Sequence, residues 1–167
     1  MRTAPLTDLL AGAVMAAPAA AQAPRTPPPR PSPSPVTFVA VLSGSYAVPE
    51  VETRATGTAE LSLVGSRLHY QLHVDSLRDV TGAYIHIGRA GEAAPAIADL
   101  FEGLQPGVVS GELARGTLAQ AALHGTTLHQ LVRALEHDEA YVTVHTRAHP
   151  EGELRGQLRS QPAVASR

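Results

Sequence analysis

The sequence predicts an all-β domain, a sandwich or barrel carrying one short helix near residues 127–137. Three observations lead there. Polar and apolar residues alternate with period two in one run after another, the pattern of strands with one buried face. Gly, Ser and Pro clusters punctuate those runs as turns would. An i, i+3, i+4, i+7 apolar spacing occurs once only, so the strand–helix alternation of an α/β fold is missing.

Val36 to Leu42 is β-branched and aromatic, and Ser43-Gly44-Ser45 ends it as a strand entering a turn. An irregular stretch around Val48-Pro49-Glu50 follows. In Thr58 to Val64, Leu61 and Leu63 oppose Glu60 and Ser62. Gly65-Ser66 then turns the chain into a run where Leu68, Tyr70, Leu72 and Val74 oppose His69, Gln71 and His73, so the two runs form a hairpin. Residues 83–88 make a further strand, with Ala83, Ile85 and Ile87 in one phase and Tyr84 and His86 in the other. Two more strands are expected, around Ala96 to Phe101 and between Val108 and Leu118.

Leu128, Leu131, Val132 and Leu135 carry the helical spacing, and Thr127 with Gln130 three residues on is a capping box. Tyr141 to Thr146 alternates again, His149-Pro150-Glu151-Gly152 supplies a turn, and Glu153 to Leu158 returns as the partner strand.

The 167 residues leave room for one domain with tails. Residues 1–23, with Arg2, an apolar stretch from Leu9 to Ala17 and small residues after it, have the layout of a secretory signal peptide cleaved after Ala21. Residues 24–35, seven of them proline, form a semi-rigid linker; residues 36–160 are the domain; residues 161–167 are a disordered tail. The protein is therefore expected in the periplasm or secreted. No run reaches the roughly 20 apolar residues of a membrane span.

All 13 basic residues are arginine, a bias typical of GC-rich bacterial genomes. Within residues 36–160 nine Arg face fourteen Asp or Glu, a formal charge of −5, so the basic footprint of a nucleic-acid binder is missing. With no cysteine there is neither a disulfide framework nor a thiolate site. With two Phe, four Tyr and no Trp, the core must be mostly Leu, Val and Ile.

Ala83-Tyr84-Ile85-His86-Ile87-Gly88 followed by Gly91 and Pro95, and later Tyr141-Val142-Thr143-Val144-His145-Thr146 with Pro150-Glu151-Gly152-Glu153-Leu154-Arg155-Gly156-Gln157-Leu158, resemble the chordin-type (CHRD) domain family. The resemblance runs from about Phe38 to Leu158. It implies an immunoglobulin-like Greek-key β-sandwich or barrel in an extracellular or cell-surface protein. It makes Tyr84, His86, Gly88, Tyr141, His145, Thr146, Gly152, Arg155 and Gly156 the family-motif residues. In animals such domains occur in a secreted antagonist of bone morphogenetic proteins; stand-alone bacterial members have no established activity. Tyr84 stands where the family often has the first histidine of a His-x-His pair.

His86 and His145 share the polar phase of their strands with Tyr84 and Thr143, so pairing those strands would put two imidazoles and a phenol on one face. Two readings follow. Imidazole suits copper and zinc, and His86 and His145 with Tyr84 as third ligand would make an incomplete metal site. Alternatively each histidine donates a ring N–H to a carbonyl or carboxylate and pins the sheet, with no cofactor. Arg155 is expected to pair with Glu153 or a neighbouring acid. Hydrolase, phosphate-loop and calcium-loop motifs are missing, so the chain reads as non-catalytic, with an enzyme of unrecognised type as the competing class. The expected role is a binding or structural module for an unknown protein or cell-surface partner, acting through loops or a sheet edge. Nothing in the residues fixes an oligomeric state.

Overall fold

The computed structural model describes residues 35–161; the expected signal peptide, nearly all of the expected linker and all but the first residue of the expected tail lie outside them. The strands are β1 (Val36–Ser43), β2 (Thr56–Val64), β3 (Arg67–Ile87), β4 (Ala96–Leu118), β5 (Ala140–Thr146), β6 (Leu154–Gln157) and β7 (Arg159–Gln161), with helix α1 (Leu128–Glu136) between β4 and β5. Every strand pairing is antiparallel, so the all-β expectation holds.

The architecture is a closed barrel. β2 pairs with the first half of β3, at Arg67–Asp75, and β5 with the second half, at Val80–Ile87. β5 then pairs with β6, β6 touches β1 at the Ser43–Arg155 rung, and β1 pairs with β2, which completes a ring of five. β4 follows β3 along its other edge, and β7 pairs with β1.

Two sequence expectations change here. The runs at 68–74 and 83–88 are a single 21-residue strand, and those at 96–101 and 108–118 are a single 23-residue strand. The cause lies in bulges. Ser76 and Asp79 take left-handed φ of 55° and 52°, and the β3–β4 register shifts around them, so residues that look like turn formers are absorbed inside a continuous ladder.

Inward-facing Phe38, Leu42, Leu61, Leu72, Ile85, Val142, Val144 and Leu154 fill the barrel, and Leu131 and Leu135 of α1 join them, all fully buried. Each such side chain contributes about 1.5–3 kcal/mol by leaving water. The helix begins as its sequence requires: Thr127 accepts from the Gln130 amide N–H while the Gln130 side chain accepts from the Thr127 N–H, a complete capping box.

Close approach at the seam depends on Gly156. A Cβ there would run into the Val41 carbonyl oxygen and the Leu42 side chain, so β6 can lie against β1 only with glycine in that position.

Candidate functional site

Residues that alternate outward from β3, β5 and β6 form one stripe across the barrel. Tyr84 opposes Thr143 and His86 opposes Tyr141 across β3–β5; Thr143 opposes Arg155 and Tyr141 opposes Gln157 across β5–β6. Over that stripe folds the loop from Gly88 to Pro95, which joins β3 to β4.

Four side chains tie the loop down. His86 Nδ1 lies 2.8 Å from the Ala94 carbonyl oxygen, and the Tyr141 hydroxyl accepts from the Ala94 amide at 2.9 Å. One Arg155 amino group donates to the carbonyls of Arg89 and Glu92 at 3.0 and 2.7 Å. Gln157 donates to the Gly88 carbonyl at 3.0 Å. The rings add to this: Tyr141 lies between the His86 imidazole, stacked at 4.7 Å and 4° from parallel, and the Arg155 guanidinium, 3.6 Å from the ring centroid. Gly88 leaves room beside the Tyr141 ring, where a Cβ would sit at 3.2 Å.

His86 and His145 are brought together through Thr143. Its hydroxyl lies 2.9 Å from Nε2 of both imidazoles, while His145 Nδ1 lies 2.7 Å from the Pro150 carbonyl. A carbonyl oxygen only accepts, so each Nδ1 carries the hydrogen of its contact. Burial holds the His86 imidazole below its usual range, with the His145 and Arg155 charges acting in the same direction and hydrogen bonds to the 94–95 backbone opposing. Neutral His86 therefore accepts the Thr143 hydrogen at Nε2. That hydroxyl has one hydrogen for two nitrogens and stands between the two imidazoles.

Tyr84 meets His145 edge-on, centroids 5.0 Å apart, with its ring across Gly82. Burial, then Glu102 and Asp99, push its phenol up, so it is uncharged. Among the described residues no cluster of three or more His, Cys, Asp or Glu is arranged to hold a metal ion. The expected pairing of Arg155 with Glu153 does not form. Glu153, itself buried, accepts from Thr53 at 2.8 Å and from Thr146 at 2.7 Å, and this occupies both carboxylate oxygens. Thr146 also accepts from the His149 amide, and Gly152, at φ 116°, turns the chain back toward β6. Sequence reading placed Thr143 on the polar phase of the two histidines without giving it a role, and it missed the part Gln157 and the 88–95 loop play. The clamping of the loop carries no local signal, since apart from His86, eight residues from Ala94, the side chains that hold it lie 47–69 residues away in sequence.

Two cavities flank the clamped loop. A small one, about 170 Å³, is lined by His86, Thr143, His145, Glu151 and Arg155 among others. A larger groove, about 760 Å³, lies between Val39 and Val41 of β1, the Tyr46–Val48 segment, the Ala90–Gly91 tip of the loop, and Arg155, Gln157 and Arg159. Arg155 lines both.

The CHRD domain family model matches residues 38–158. Chordin of Xenopus laevis is 29% identical over 126 residues, which cover 70% of this chain and 12% of that protein. The chain thus corresponds to a small part of the length of that relative. No solved structure matches. The match runs from inside β1 to the residue after β6 and takes in every strand of the closed ring together with the clamped loop, and the chain belongs to the CHRD domain family.

Proposed function

We propose that this chain is an exported, non-catalytic binding module of the CHRD family, and that its docking face is the groove beside the clamped loop. One observation carries the reading. The groove has the roughly 300–1,000 Å³ volume of a ligand site, at about 760 Å³. Its rim exposes Val41 at 65%, Tyr46 at 58% and Val48 at 44%, large apolar side chains gathered beside arginines. Such gathering is a marker of interaction surfaces. Export rests on the signal-peptide layout of residues 1–23; among the described residues no helix is long and apolar enough to cross a membrane.

The test is photo-crosslinking in intact producing cells, with the reactive residue at Tyr46 or, as control, at exposed Leu104 of β4. A discrete adduct from Tyr46, lost when Val41→Glu is added and missing from Leu104, supports the groove; equal labelling from both positions, or none from Tyr46, overturns it. Cell fractionation reads export in the same cultures.

A second reading, a copper or zinc protein using His86 and His145, is favoured by the approach of both Nε2 atoms to one hydroxyl at 2.9 Å. Calorimetric titration of the metals into the wild type and into His86→Ala and His145→Ala decides it, and absence of saturable binding ends it.

A further inference from the structure

We infer that the groove recognises a carboxylate on an apolar stem, and that its natural occupant is the carboxyl terminus of a partner polypeptide ending in an apolar residue. This rests on the groove being the docking face.

The argument begins with Arg155. It is 5% exposed, and among the described residues no carboxylate lies within ion-pair distance of it. A guanidinium out of water without a counter-charge is costly, and its carbonyl contacts and the Tyr141 ring offset only part of that. Of its five N–H donors, the two on one amino group are used. The Nε and the other amino group make no hydrogen bond among the described residues. They are not sealed off either, because the one fully buried side-chain atom there without a partner is Gln157 Oε1. Both forks of the guanidinium run through the engaged amino group, so Arg155 offers an anion single charge-assisted donors, from Nε or from the other amino group, rather than a bidentate grip.

The surroundings agree. Arg159 is exposed on the same wall, and the whole groove lining holds two arginines and no Asp or Glu, in a domain with a formal charge of −5. A groove with two arginines and no acid attracts an anion even on a domain of net negative charge. Beside the arginines, Val39, Val41, Tyr46, Ala47 and Val48 form an apolar wall, with Ser45, Gln157, Ser160 and Gln161 as polar neighbours, and that wall asks for an apolar stem beside the charge. The end of a polypeptide combines a carboxylate and a side chain on one carbon, which matches a deep arginine set next to an apolar wall.

The experiment is calorimetric titration of the full chain with the acetylated peptide Ala-Ala-Val-Leu as free acid and as C-terminal amide, with octanoate as a third probe. The free acid is expected to bind saturably and at least about tenfold tighter than the amide, as loss of a charge-assisted contact implies. Arg159→Gln and Val41→Glu alter exposed positions, and each is expected to weaken the free acid by about threefold or more while leaving the circular dichroism spectrum unchanged. Equal affinity for acid and amide, or no effect of either variant, overturns the carboxylate assignment. Octanoate binding more tightly than the peptide acid overturns the polypeptide assignment. If the Tyr46 crosslink forms while acid and amide bind alike, the docking face stands and the chain-end reading alone falls.

Discussion

Thr143 shows how much one hydroxyl can organise. Replacing it with valine keeps the β-branched shape and its strand preference but leaves Nε2 of His86 and of His145 facing a methyl group. An unsatisfied buried polar group costs about 1–3 kcal/mol, so Thr143→Val is expected to lower stability by about that amount in urea unfolding, with an unchanged m-value. The pH response of His86 has a definite sign. Its folded-state value lies below the unfolded one, so the neutral form is favoured by folding. Its contribution is fully present above the unfolded value of about 6.5 and declines as pH falls from there toward the folded value, where the loss levels off. Urea midpoints at a series of pH values, compared between wild type and His86→Gln, should show a steeper acid loss for wild type below about pH 6.5; parallel profiles would refute it. At this scale the sequence was partly legible. The shared phase of Tyr84, His86, Thr143 and His145 follows from alternation alone, whereas the carbonyls that fix their tautomers belong to Ala94 and Pro150 and carry no side-chain signature.

Among elements, the strands were legible wherever apolar and polar residues alternate, as in β2, the first half of β3 and β5, although β5 is buried on both faces. The fusion of two expected strands into β3 was not, because Asp75-Ser76 and Asp79 have the composition of a turn, and only the ladder to β4 keeps the chain extended through them. β4 hides its continuity in the same way, since Gly103, Gly107 and Gly111 all take positive φ. The seam between β1 and β6 gives a sharper test. Gly156→Ala places a methyl against the Val41 carbonyl and the Leu42 side chain, and the strands must separate to admit it. The expected cost is about 1–3 kcal/mol, as for overpacking, with hydrogen exchange accelerated at β1 and β6 before β3; a change below about 0.5 kcal/mol would show that the seam yields freely.

For the molecule as a whole, all-β character and the single helix followed from periodicity, but ring closure did not. Closure depends on which distant strands meet, and no local pattern in β1 announces that its neighbours are β2, β6 and β7. That topology makes its own prediction. Thr37 pairs with Gln161, so the two ends of the described region share a rung, roughly 5 Å apart. The Gly65-Ser66 turn is open, with nothing near a Cβ added at Gly65. Joining the ends through a short Gly/Ser linker and opening the chain at Gly65-Ser66 should give a permuted protein with the same spectrum and a single cooperative unfolding transition; loss of near-ultraviolet signal would contradict it.

The neighbouring ends have a further consequence. A chain that enters through β1 and leaves through β7 departs beside the point where it arrived, so the domain adds almost no length to whatever carries it. It can be spliced into the loop of a host protein, or strung in series with others like itself, without prising the flanking segments apart, while the groove, which β1 and β7 help to line, stays next to the point of attachment.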